Sequence, residues 1–194
     1  MKRKKNRILG PMMLSSIEET IADLADNGKP LLSSKLVELS NLSLEETKLF
    51  QQAWAAIEPK RRREIMSRLV ELAEDNIKLD FDSIFINHLN DQDAEVRSKA
   101  VEGLWESEDT SLINRLIDLL EQDSSEKVQA AAATALGKFV ILAELKKLRS
   151  DYKSKMGRVL LSVINDKSKP IEVRRRALEA VAPMSLPEVK RAIT

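Results

Sequence analysis

The chain has 194 residues: 43% hydrophobic, 32% charged and only 4% aromatic, with a net charge of +1. It has no cysteine, which excludes disulfides, thiolate nucleophiles and cysteine-ligated zinc or iron–sulfur centres. With so few rings, 5 Gly and 6 Pro, the core must be built from Leu, Ile, Val and Ala, so stacked helices are expected rather than a sheet sandwich.

The charge is unevenly spread. Residues 1–7 hold five basic side chains and no acidic one, residues 8–142 hold 14 basic against 25 acidic, and residues 143–194 hold 13 against 6. No apolar run reaches the roughly 20 residues that span a bilayer. The start, MKRKKNRILGPMML, has its apolar stretch broken at Gly10–Pro11 and reads as a disordered basic arm over 1–14, not a secretion signal. A cytoplasmic protein without membrane contact is expected.

Along the chain, Ser16 is placed as the N-cap of a helix over 16–26, ended by Asn27–Gly28–Lys29–Pro30. A short helix is expected near Ser33 or Ser34. Ser43 with Glu46 makes a capping box, and Leu49, Phe50, Ala53, Trp54 and Ile57 then form one apolar stripe. Pro59 suits the first turn of a helix over 59–75, with Ile65, Leu69, Leu72 and Ala73 on its stripe and Arg61, Arg62, Arg63 and Arg68 off it. These two helices are expected to pair as an antiparallel hairpin, within an N-terminal helical region (15–80) that caps the rest of the chain. After a linker at 76–80, helix pairs are expected at 81–89 with 93–106, at 110–121 with 125–142, and at 152–165 with 170–182. The closing LPEVKRAIT reads as the first helix of an uncompleted unit.

The paired region, 81–194, is repetitive. DQDAEVRSKAVEGLW from Asp91, DSSEKVQAAAATALG from Asp123 and DKSKPIEVRRRALEAVA from Asp166 align on Val96, Val128 and Val173. Four residues on stand Ala100, Ala132 and Ala177; four more give Leu104, Leu136 and Val181. These fall on one helical face, and the small middle residue lets neighbouring helices approach closely. The valines are 32 and 45 residues apart; the extra 13 residues of the longer spacing are placed around Leu145–Lys155 and the KSKP turn. Self-similarity at this period marks a solenoid, because one helix pair cannot bury both faces alone.

Asp91 with Val96–Arg97, Asp123 with Val128, Val173–Arg174 and the ending Ala135–Leu136–Gly137 resemble HEAT-like repeats, especially the short bacterial type of phycobilisome lyases, over roughly residues 81–182. Gln129 replaces the usual arginine of the second copy, and two extra residues displace Asp166 in the third. The resemblance implies an all-α fold, a right-handed α–α superhelix of stacked antiparallel helix pairs. It further implies that Asp91, Arg97, Asp123 and Arg174 bond neighbouring repeats, and that the second helices line a concave partner-binding face.

No catalytic constellation is visible. His88 is the only histidine and reads as a surface or helix-end residue. The carboxylates cluster at helix ends and turns, as caps or solvated groups. There is no phosphate-cradling glycine loop and no G-x-S-x-G. No cofactor or metal is expected. Trp54 and Trp105 sit on helical stripes and read as core or as contacts between units. The leading expectation is a non-enzymatic scaffold or adaptor that binds another protein through the exposed side of the second helices, with Arg97, Lys99, Gln129, Arg175, Arg176 and Glu179 as candidate contacts. The alternative is a nucleic-acid- or ribosome-associated protein using Lys2–Arg7, Arg61–Arg63, Lys146–Arg149 with Lys153 and Lys155, and Arg174–Arg176, which requires these clusters to converge into one stripe. An enzyme or lyase-type chaperone has only the analogy of fold behind it. Exposure of Leu186, Val189 and Ile193 at the last unit predicts self-association through the solenoid ends.

Overall fold

A computed structural model describes residues 11–185, with side chains from Ile17 onward. The cluster Lys2–Arg7 and the LPEVKRAIT stretch lie outside the described residues. The helices are α1 (Pro11–Ala25), α2 (Ser33–Val37), α3 (Leu44–Trp54), α4 (Pro59–Asp75), α5 (Asp82–His88), α6 (Ala94–Gly103), α7 (Leu112–Gln122), α8 (Glu126–Glu144), α9 (Ser150–Asn165) and α10 (Ile171–Val181). No strand occurs among the described residues. The chain divides into two compact units between Asn87 and His88.

In the first unit, α1 begins at Pro11, inside the stretch expected to be an arm. A proline at the first helical position loses no needed N–H and presets φ, so Ser16 lies within the helix instead of capping it. The α3 capping box forms: the Glu46 N–H donates to Ser43 Oγ at 3.2 Å and the Ser43 N–H to Glu46 Oε2 at 2.8 Å. Phe50 and Trp54 are buried with ring centroids 5.4 Å apart. The expected hairpin of α3 with α4 is replaced by packing of α3 on α1 and of α4 on α2. The reason lies at Arg61, which is buried and not off the stripe. Its Nε donates to the Leu24 carbonyl at 2.9 Å and its Nη2 to the Lys29 carbonyl at 3.0 Å, so the start of α4 is held at the C-terminal end of α1. Within this unit the segment before α5 is tied back to the turn after α2. The Asn41 N–H donates to the Asp80 carbonyl at 2.7 Å, and the Asp80 N–H to Ser40 Oγ at 2.9 Å.

The second unit is an all-α solenoid segment. α6, α8 and α10 form one layer with α8 in the middle, and α7 and α9 form the other, packed on α8 and α10 respectively. Val96, Val128 and Val173, then Ala100, Ala132 and Ala177, then Leu104, Leu136 and Val181, are all buried, as the repeat alignment requires. From the first helices come Leu112, Ile113, Leu116, Ile117 and Leu120 of α7 and Met156, Leu160 and Val163 of α9. Each such side chain stabilises the fold by about 1.5–3 kcal/mol. The extra residues of the longer spacing do not make a long loop. They lengthen α8 to 19 residues and α9 to 16, against 10 in α6 and 11 in α7.

Two positions, one in α8 and one just after it, depend on backbone geometry. A Cβ on Gly137 would stand 3.2 Å from Ala180 Cα of α10, so glycine permits this helix crossing. Gly137→Leu is expected to lower stability by about 1–3 kcal/mol in urea unfolding, while Gly137→Ala, which gains about 1 kcal/mol of helix propensity against that close contact, stays nearer to wild type. At the end of α8, Lys146 has φ 57°, its N–H bonds the Ala143 carbonyl, and the Lys147 N–H bonds the Leu142 carbonyl. This is the paired closure that glycine usually makes. Lys146→Gly is expected to raise stability by roughly 0.5–1 kcal/mol, measured in the same assay.

Candidate functional site

The turns of the second unit explain the repeated residues. Asp91, Asp123 and Asp166 each accept the N–H two residues on, from Asp93, Ser125 and Ser168, at 2.8, 2.8 and 2.9 Å. These are Asx turns. The residue after each repeat valine then donates to a carbonyl just before its own helix: Arg97 Nη1 to Asp91 at 2.7 Å and Gln129 Nε2 to Asp123 in the preceding turns, and Arg174 Nε to Ile164 in the last turn of α9 at 2.9 Å. A glutamine substitutes for arginine because the shared task is donation to a carbonyl.

Contacts between successive pairs use the same groups. Arg97 grips Asp123 through both nitrogens, Nε at 2.7 Å and Nη2 at 2.8 Å, with side chains only 12% and 5% exposed. The third copy has its aspartate displaced, and Lys169 takes over. Its ammonium donates to the Glu121 carbonyl at 2.8 Å and to Gln129 Oε1 at 3.2 Å. Donor and acceptor are exchanged, which suits a glutamine in place of arginine. Burial alone would push the Asp123 carboxyl up, but the hydrogen bonds from Arg97 and from the Ser125 N–H, with the arginine charge, hold it below the usual carboxylate range. The Asp123 hydrogen bond chiefly raises Arg97 above its ordinary value.

The layer of second helices carries a groove of about 750 Å³. Its floor is the small-residue face of α8: Ala130, Ala131, Thr134 and Ala135. One wall comes from α6 and the turn after it, with Val101, Glu102, Leu104 and Trp105; the other comes from α10, with Glu172 and Arg176. A groove forms here because short side chains on the middle helix lie between long ones on its neighbours. Trp105 is 48% exposed, not core as expected. α6 stops at Gly103, three residues short of the expected end, and Trp105 stands in the turn after it, out of register with the stripe. The ammonium of Lys138 holds this turn, donating to the carbonyls of Leu104 at 3.2 Å, Trp105 at 3.0 Å and Ser107. On α10, Arg176 bonds Glu172 at 2.9 Å and Glu179 at 3.1 Å. The Arg175 hydrogen bond outweighs burial and holds the Glu172 carboxyl below its usual range.

Residues 83–150 match a family model described as HEAT repeats. Over that span the chain is similar to HEAT-repeat proteins. The match runs from α5 to the first residue of α9. The pair α9 and α10 lies beyond it but buries Val173, Ala177 and Val181 in the same way. No curated protein matches the chain.

Of the expected partner contacts, only Arg176 lines the groove. Lys99 lies beside it, bonded to Glu102 at 2.6 Å. Arg175 and Glu179 are exposed on α10 and bond each other at 2.8 Å. Arg97 and Gln129 do not lie on an exposed face; both are withdrawn from solvent because the turn carbonyls claim them. Arg97 and Asp123 bond each other between successive pairs, Arg174 Nε donates to Ile164 within its own pair, and the Asp91 carboxylate accepts the Asp93 N–H within its own turn. His88 ends α5 as expected but is buried, not on the surface. Sequence reasoning missed Trp105 and Glu126 as groove residues, and Ala131, Thr134 and Lys138. The last three are recognisable as the α8 face that the Val128–Ala132–Leu136 stripe leaves over.

Because the carboxyl of Asp123 is depressed in the fold, its contribution is fully present above the unfolded value of about 4 and is lost as pH falls through the lower folded value. Urea unfolding at pH 7 is expected to show Asp123→Asn less stable than wild type, and the difference should shrink as pH falls below about 4.

Proposed function

We propose that this chain is a non-enzymatic adaptor that holds a segment of another protein in the groove of α6, α8 and α10. The observation that carries the reading is Trp105, half exposed above a floor of alanines. A large, rigid side chain beside a shallow apolar floor is the arrangement found at the centre of protein interfaces. The similarity to HEAT repeats supports it, since such repeats commonly mediate protein interactions. We extend the reading to the short bacterial type, on the Val–Ala–Leu pattern of three copies, and to a cytoplasmic setting, on the cysteine-free composition. Among the described residues no helix is long and apolar enough to cross a membrane.

The nucleic-acid alternative loses its footing at the side chains. Arg61 and Arg174 close helix ends. Lys153 bonds Glu144 at 2.6 Å, Lys155 bonds Asn114 at 2.7 Å, and Arg149 bonds Asp151 at 2.9 Å. Those bonds commit these five side chains to separate local tasks.

Thr134 is exposed on the groove floor, so Thr134→Arg fills the groove without touching the core. In pull-downs from a lysate, wild type should retain a protein that Thr134→Arg loses, with unchanged thermal unfolding of the variant. Equal recovery by both would place binding elsewhere.

A further inference from the structure

The groove differs at its two ends. α8 runs through it from Glu126 to Lys138, a stretch about 18 Å long. At the Lys138 end stands Trp105, fixed by its carbonyl bond to that lysine. The same α8 face continues beyond, since Ile141 and Leu145 come after Lys138 at helical spacing and are 48% and 61% exposed. α8 overreaches α6, which ends at Gly103, so these side chains form an apolar shelf past the tryptophan.

The other end is acidic. The cations that line the groove are engaged: Lys127 with Glu95, Arg176 with Glu172 and Glu179, and Lys138 with three carbonyls. Glu102 is bonded by Lys99. Among the described groove residues, Glu126 is the charged side chain left without a hydrogen-bond or ion-pair partner. Lys138, bonded to neutral carbonyls, keeps its positive charge at the Trp105 end, so the surplus negative charge is confined to the Glu126 end, about 22 Å from Ile141 and about 28 Å from Leu145.

Size and shape select an occupant. A helix of about 16 residues is about 24 Å long, enough to run from Glu126 to Ile141, and the groove it would occupy is about 750 Å³. Packed helices lie about 8–10 Å apart, so α6 and α10 flank α8 with room for one more helix above the alanines. We propose that the occupant is an amphipathic helix of another protein lying antiparallel to α8, with Leu- or Ile-type side chains in its first turns against Trp105, Ile141 and Leu145, and Lys or Arg in its last turn against Glu126. This rests on the groove being a protein-binding site. Basic residues favour a helix's own C-terminal turn, so the orientation satisfies both helices.

Two fluorescein-labelled 16-residue model helices test it on the full chain by anisotropy. One carries Leu on one face of its first half and Lys in its last turn; the other has the same composition with that order reversed. The first should bind at least fivefold more tightly. Glu126→Lys should weaken it three- to tenfold, and Glu126→Gln less. A third helix, with Glu replacing the terminal Lys, should gain affinity for Glu126→Lys. Trp105→Ala should weaken the first helix at least tenfold. Equal binding of the first two helices, no response to either Glu126 variant, or no binding of the first helix up to 1 mM would overturn the proposal. Loss of binding by Thr134→Arg in this assay, despite equal binding of the two orders, would keep the groove as a site while removing the orientation. The lysate comparison of Thr134→Arg tests the adaptor reading independently of any model helix.

Discussion

A helix ends with four carbonyls that no residue of its own can satisfy, and in a stack of short helices those ends lie close to the core. This chain closes them with long polar side chains from elsewhere in the sequence. Arg61 closes α1, Lys138 the turn after α6, Lys169 the end of α7, and Arg174 the end of α9. Arg97 and Gln129 serve the turns before their own helices. A cation suits the task twice over, since it donates several hydrogen bonds and complements the negative end of the helix dipole. Much of the rest of the molecule depends on where these groups must stand, including the position of α4 and the placing of Trp105.

That requirement also changes the meaning of the charge pattern. A chain with runs such as RRR and KK invites a phosphate-binding reading, but charge in a sequence carries no direction. Once Arg61 and Arg174 are turned toward carbonyls and Arg175 and Arg176 toward Glu172 and Glu179, no continuous positive stripe is left among them. The same logic makes Arg97 and Gln129 poor partner contacts. A side chain that holds a turn together is not available to a second protein.

The groove comes from unequal side-chain length on three neighbouring helices. Core packing demands Ala100, Ala132 and Ala177 on the inward face, because close helix approach leaves no room for more. Gly137 opposite Ala180 is the extreme case. On the outward face nothing demands alanine, yet α8 carries Ala130, Ala131 and Ala135 there, between Glu102 and Trp105 on one side and Glu172 and Arg176 on the other. The two extra turns of α8 then extend the same face beyond its neighbours.

The helical class, nearly every helix span in the described region and all nine core positions of the repeat alignment were legible in the sequence. They depend on periodicity, capping and side-chain size, which act within one helix or between adjacent turns. Trp105 was misread because burial at a helix end turns on where the last turn stops, and neighbours decide that; the same cause buries His88 at the helix end where it was expected. The expected α3–α4 hairpin failed for a related reason: a stripe tells which face is buried but not against which helix, and Arg61 reaches a carbonyl 37 residues away. The groove was legible only in outline, as the variable remainder of the second helices. Local chemistry, written in the order of residues, determined the elements and their inward faces. Which outward residues meet, which cations stay exposed and where a cavity opens were decided only by tertiary packing, because each depends on distances between groups far apart in the chain.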